Sequence, residues 1–107
     1  MPADEVELAL KQGNVAMLAP HFGPSVDITL NNVQSTYSAA QAEMVLRKFF
    51  LKNNVQNFEM QLTGKSGSTN TIYTIGTLTT AKGSFKVLLN FKPYDNKIVL
   101  QQIRIEK

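Results

Sequence analysis

A chain of 107 residues, 43% hydrophobic and 18% charged with six Gly and four Pro, has the composition of one folded domain over residues 1–107, neither disordered nor repetitive. It contains no Cys, which excludes disulfides, thiolate chemistry and cysteine-held metals, and no apolar run approaches the ~18 residues of a membrane-spanning helix. The net charge of +3 is unevenly placed, with acids dominating residues 1–27 and lysines dominating 82–107.

Asp4 to Gln12 reads as a helix. Asp4 can cap it with Glu7 three residues on, acids crowd its first turn, and Gly13 supplies a left-handed stop. Asn14 can cap a second helix through Val15, Met17 and Leu18, kept short by Pro20. "HFGPS" reads as a turn. In "VDITLN", Val26, Ile28 and Leu30 alternate with polar residues, the period of a half-buried strand, and "NNVQSTY" is expected to turn and pair back on it.

The segment "YSAAQAEMVLRKFF", residues 37–50, carries a capping box, Ser38 followed three residues later by Gln41. Ala42, Val45, Leu46, Phe49 and Phe50 form one apolar stripe, and Glu43 precedes Arg47 by four on the polar side. Asn53-Asn54 can end the helix, since Asn tolerates positive φ.

Strands follow. Phe58, Met60 and Leu62 alternate with polar residues, "GKSGSTN" at 64–70 is a hairpin turn, and "TIYTIGTLTT" is β-branched and aromatic. After "AKGS", Phe85, Val87, Leu89 and Phe91 share a face; "KPYDN" turns the chain, with Asn96 suited to a left-handed position, and "KIVLQQIRIEK" is the last strand. Helices first and then mostly consecutive strands imply an α+β fold with an antiparallel sheet. A two- or four-residue turn around Lys82-Gly83 would pair Leu78 with Val87, Gly76 with Leu89 and Thr74 with Phe91, while alternation leaves the register of the last hairpin open. Ile72, Thr74, Gly76 and Leu78 then lie on the face the helices cover. An interior strand Gly such as Gly76 marks a bend, a bulge or a close approach.

Several segments together resemble the nuclear transport factor 2-like (cystatin-like) superfamily, and within it a family of small secreted bacterial proteins. They are "GN" at 13–14, "LA" at 18–19, "VDITL" at 26–30, "YSAAQAEMVLRKFF" at 37–50, "YTIGTL" at 73–78 and "IRIEK" at 103–107. The resemblance implies a strongly curved sheet that wraps the N-terminal helices and the central helix into a cone, often around a cavity. It carries over no catalytic residues to this sequence. It also implies export to the periplasm or beyond, yet "MPADEVELAL" lacks the charged and apolar regions of a leader. Either the leader has been removed and Met1 added, or the protein is intracellular; the first is the expectation.

Catalytic constellations are not evident. His21 lies in the Pro/Gly-flanked turn, Asp27 and Glu59 fall in the polar phase of their strands, Glu43 is on the wet side of its helix and Asp95 is in a turn. No carboxylate is forced onto an apolar face, where desolvation would raise its pKa into the catalytic range. One His, no Cys and no clustered carboxylates argue against a metal, and no cofactor is expected. "GKSGST" departs from the phosphate-loop pattern and joins two strands. The basic residues from Lys82 onward stand singly between apolar residues, so no nucleic-acid partner is expected.

If a cavity is open, its expected lining is Phe50, Thr74, Gly76, Leu89 and Phe91, with Tyr37 near the mouth, which suits a small apolar ligand. If phenylalanines fill it, function moves to the outer sheet face of Tyr73, Ile75, Thr77, Lys86, Leu88 and Asn90. That face could pair two copies into a homodimer. The leading reading is a non-catalytic binding module of the cell envelope, for a small apolar ligand or a protein partner. The alternative is a small cavity enzyme of isomerase, dehydratase or hydrolase type using acid–base chemistry.

Overall fold

The computed structural model describes residues 2–68 and 70–107; Met1, and Thr69 within the expected 64–70 turn, lie outside the described residues. Helix α1 spans Pro2–Gln12, two residues earlier than expected. A proline suits a first helical position because its missing N–H would be an orphan there anyway. Asp4 therefore belongs to the first turn and is not the residue before it. Gly13 takes φ +61 and ends the helix. Asn14 caps α2 (Val15–Leu18), its Oδ1 accepting from the Met17 N–H at 3.0 Å.

A single 3-10 turn, Ala19–His21, leads into β1 (Phe22–Leu30). The turn expected over "HFGPS" is thus mostly strand. Phe22 is 8% exposed and pairs with Leu100, so burial of its ring pulls the Gly-Pro stretch into the sheet. Asn31 and Asn32, both left-handed, turn β1 into β2 (Val33–Ser38).

Helix α3 (Ala39–Lys52) has the capping box in full. Ser38 Oγ accepts from the Gln41 N–H at 3.2 Å, and Gln41 Oε1 from the Ser38 N–H at 3.1 Å. Ala42, Leu46, Phe49 and Phe50 are buried, and Glu43 pairs with Arg47 at 2.7 Å on the exposed side. The C-terminal stop differs from expectation. Asn53 has φ −124, and it ends the helix by donating both its N–H and its Nδ2 to the Phe49 carbonyl.

Strands β3 (Val55–Lys65), β4 (Ile72–Thr80), β5 (Gly83–Tyr94) and β6 (Lys97–Glu106) complete one sheet in the order β2-β1-β6-β5-β4-β3. Every hairpin pair is antiparallel, but β1 and β6 run parallel. The sheet is mixed, which corrects the antiparallel expectation. After β2 the chain crosses through α3 to the far edge, and the four-strand meander brings β6 back beside β1 in the same direction. Local alternation carries no signal of that long-range pairing.

Two registers differ from the reading of the sequence. Thr80 pairs with Gly83 across a two-residue turn, so Leu78 meets Phe85, Gly76 meets Val87, Thr74 meets Leu89 and Ile72 meets Phe91. The faces are as expected; the rungs are displaced by two residues. In β3 a shift between Met60 and Leu62 sends Leu62 to the outer face, where it is 53% exposed opposite Ile75. A bulge reverses the phase of every side chain beyond it.

The core lies between the helices and the inner face. Val6, Leu10, Leu18 and Leu46 pack with Phe58, Leu78, Leu89, Phe91, Ile103 and Ile105, each no more than 1% exposed. Each such side chain contributes about 1.5–3 kcal/mol relative to exposure.

Candidate functional site

Of the six residues expected around a cavity, Thr74, Gly76, Leu89 and Phe91 lie buried on the inner face of adjacent strands. Thr74 and Leu89 are directly opposite one another. The space above Gly76 holds the ring of Phe58: a Cβ on Gly76 would sit 2.5 Å from Phe58 Cζ and 2.6 Å from the Glu59 carbonyl oxygen. The sequence places Phe58 on the apolar phase of its strand, among the phenylalanines expected to be core, but does not set it over Gly76. The signal that could have marked it is an aromatic on β3 within reach of the neighbouring strand's glycine.

The other two residues face elsewhere. Tyr37 borders a depression of about 200 Å³ with Gln41, Met44, Val45 and Lys48 on the flank of α3. Phe50, 8% exposed, borders a polar cleft of about 450 Å³ between the α1–α2 turn and α3, with Asn14, Arg47 and Asn54 among its walls. Phe50 also meets Phe49 edge to face, with centroids 5.5 Å apart, and Phe49 meets Phe85 likewise at 5.3 Å.

One polar atom on the inner face is unusual. Among the described residues the Thr74 hydroxyl is buried without a hydrogen-bond partner. By contrast the buried Thr80 donates to the Gly83 carbonyl at 2.8 Å and accepts from the Lys82 N–H at 3.1 Å.

The outer face is organised in rungs. Leu62, Ile75, Leu88 and Arg104 lie side by side across β3 to β6, and Thr77, Lys86 and Glu106 form the next rung. Ile75, Lys86, Leu88, Arg104 and Glu106 line a groove of about 240 Å³. Its floor is apolar. Arg104 Nε donates to Glu106 Oε1 at 2.5 Å, which leaves the groove with one net positive charge from Lys86. On the flanking rung Asn90 Nδ2 donates to Gln102 Oε1 at 2.5 Å, and the Tyr73 ring lies over Gly64. Arg104, Glu106 and Leu62 were not assigned to this face from sequence, because the last hairpin register was open and the β3 bulge is invisible in alternation.

Several acid and base groups are paired outside the core. His21 Nε2 lies 3.0 Å from Glu5 Oε2, Thr36 donates to Asp27 at 2.6 Å, and Glu43 holds Arg47. Among the described residues no three His, Asp or Glu side chains cluster to hold a metal ion, and no helix is long and apolar enough to cross a membrane.

The family model described as a domain of unknown function, DUF4783, matches residues 3–106. The chain belongs to the DUF4783 family. It is similar to a DUF4783 protein from Bacteroides fragilis, at 35% identity over 96% of this chain and 95% of that one, with a TM-score of 0.91. A Bacteroides uniformis member is 34% identical over 97% and 94%, also with a TM-score of 0.91. Beyond the DUF4783 proteins, the structure named "Rd1NTF2_04 with long sheet" matches at 16% identity over 97% and 95%, with a TM-score of 0.75. The fold is therefore nuclear transport factor 2-like. No curated protein matches the chain.

Proposed function

We propose that this chain is a non-catalytic binding module of the bacterial cell envelope, and that it binds a protein partner through the outer face of the sheet. The observation that carries this reading is the apolar rung of exposed Leu62 and half-buried Ile75 and Leu88, which borders a groove with Lys86 and Arg104. Such a surface fits a partner that offers an apolar side chain beside an acidic one. A second copy could satisfy it, its Glu106 meeting Lys86. The pairing of His21, Asp27 and Glu43 with neighbouring polar groups supports a non-catalytic role. The envelope location is drawn from the resemblance to secreted proteins, and protease accessibility in spheroplasts tests it.

A second reading is a small apolar ligand held against Thr74, Gly76, Leu89 and Phe91, the expected cavity lining. The unpartnered Thr74 hydroxyl favours it, and it requires Phe58 to swing away from Gly76. Affinity capture from an extract of the source bacterium separates the two. Leu88→Glu and Arg104→Glu should each lose the same captured protein while a Tyr37→Ala bait retains it. Capture unaffected by both outer-face changes, with a dissociable small-molecule adduct in native mass spectrometry, would favour the second.

A further inference from the structure

The two edges of the sheet are β2 and β3, and they are protected very differently. Strand β3 carries two register shifts against β4, together with Glu59, Gly64 and Lys65. Bulges and charges of this kind stop an edge from pairing with another chain. Strand β2 reads Val-Gln-Ser-Thr-Tyr-Ser. It has no charge, Pro or Gly, and its ladder with β1 runs unbroken from Leu30–Val33 to Ser25–Ser38.

The hairpin geometry determines which backbone groups face outward. Asn31 and Asn32, with φ 48 and 72, make a two-residue turn in which the Val33 N–H donates to the Leu30 carbonyl. Alternation along the ladder then points the N–H and C=O of Val33, Ser35 and Tyr37 toward β1, and those of Gln34 and Thr36 away from it. The Ser38 N–H also points away, but Gln41 Oε1 already takes it. Gln34 and Thr36 thus present two donors and two acceptors along an uncharged edge strand with an unbroken ladder.

We propose that two copies of this chain pair antiparallel through β2, across a two-fold axis at Ser35, and so join their sheets at the rim. With Ser35 on the axis, Gln34 faces Thr36 of the second copy, and each such pair exchanges both its hydrogen bonds. The same register sets Val33 opposite Tyr37 of the second copy, on the helix side of both sheets. Val33 is 72% exposed, and Tyr37 borders the depression with Met44, itself 61% exposed. One register therefore satisfies the outward backbone groups and sets the exposed Val33 against Tyr37 of the second copy, with no like charges opposed within the strand. This surface is the rim of the sheet and makes no use of the outer face.

A thiol on the axis tests the register. The chain has no Cys, so Ser35→Cys carries a sole thiol. A non-hydrogen-bonded antiparallel pair has Cα atoms about 4.5 Å apart, within disulfide range. Oxidation of Ser35→Cys at about 50 µM, a concentration that populates a dimer of micromolar Kd, should give mostly linked dimer. Gln34→Cys should stay largely monomeric, since its twin lies beyond the ~7 Å limit. Thr36→Pro removes an outward N–H while sparing the β1 ladder, and should halve the mass seen by sedimentation at unchanged circular dichroism. Ser35→Lys, on an exposed side chain, should do the same by opposing two like charges. Equal cross-linking of the two Cys variants, or a native mass that is monomeric or that survives both Thr36→Pro and Ser35→Lys, would overturn the proposal.

Discussion

The ring of Phe58 on β3 rests on the bare backbone of Gly76 on β4, closely enough that a methyl group there would lie 2.5 Å from Phe58 Cζ and 2.6 Å from the Glu59 carbonyl oxygen. Phe58 is fully buried. The glycine is thus a space requirement of the neighbouring aromatic, and Gly76 itself has no left-handed φ.

Gly76→Ala should therefore destabilise the domain by about 2–4 kcal/mol, through overpacking of a site with a rigid backbone neighbour. Trimming the ring should not rescue it fully, because the Glu59 carbonyl cannot move away as a side chain can. Phe58→Ala alone should cost about 3–5 kcal/mol. Urea unfolding of the single and double variants checks the order, and a neutral Gly76→Ala would refute the close approach.

Gly64 and Tyr73 repeat the relationship on the outer face, where the Tyr73 ring covers the glycine directly opposite. Tyr73 is only half-buried, so its ring can swing toward solvent. Gly64→Ala should cost about 1 kcal/mol, the scale of a lost cross-strand pair. The difference between Gly64→Ala and Gly76→Ala in thermal denaturation measures that freedom.

The buried threonines should respond in opposite directions. Thr74→Val replaces a hydroxyl that has no partner among the described residues and should be neutral or stabilise by up to about 1 kcal/mol. Thr80→Val breaks bonds to Gly83 and Lys82 at the β4–β5 turn and should cost about 1–3 kcal/mol. Equal losses at both positions, measured by chemical denaturation, would mean that the Thr74 hydroxyl is bonded in solution.

Caps should matter at the starts of α2 and α3, where the side chains of Asn14 and Ser38 accept backbone N–H groups. Ser38→Ala removes the acceptor for the Gln41 N–H, and Asn14→Ala the acceptor for the Met17 N–H. Each should cost about 1 kcal/mol. Ser38→Ala should also speed amide exchange in the first turn of α3, read by hydrogen-exchange mass spectrometry.

Features with a short physical range were legible from residues alone. The Ser38–Gln41 box, the Asn14 cap, the left-handed Gly13 and Asn96, and the buried stripe of α3 depend on neighbours within four residues or on one backbone angle. The covered phase of β4 and β5 was legible too, since alternation assigns faces. Of the expected cavity lining, the inner-face placement of Thr74, Gly76, Leu89 and Phe91 follows from that phase. Their company does not: Phe58 stands over Gly76, while Tyr37 and Phe50 open onto separate depressions.

What tertiary structure decided is what depends on another strand. The parallel β1–β6 pair joins residues more than seventy positions apart, and capture of Phe22 beside Leu100 drew a Gly-Pro segment into a strand. The β3 bulge turned Leu62 outward and so built the apolar rung with Ile75 and Leu88. Sequence alone determines capped helices and alternating faces, because hydrogen bonds and side-chain periodicity act along the chain. Register, strand direction and the make-up of each surface were settled by packing across it, where one extra residue in a strand reverses everything beyond.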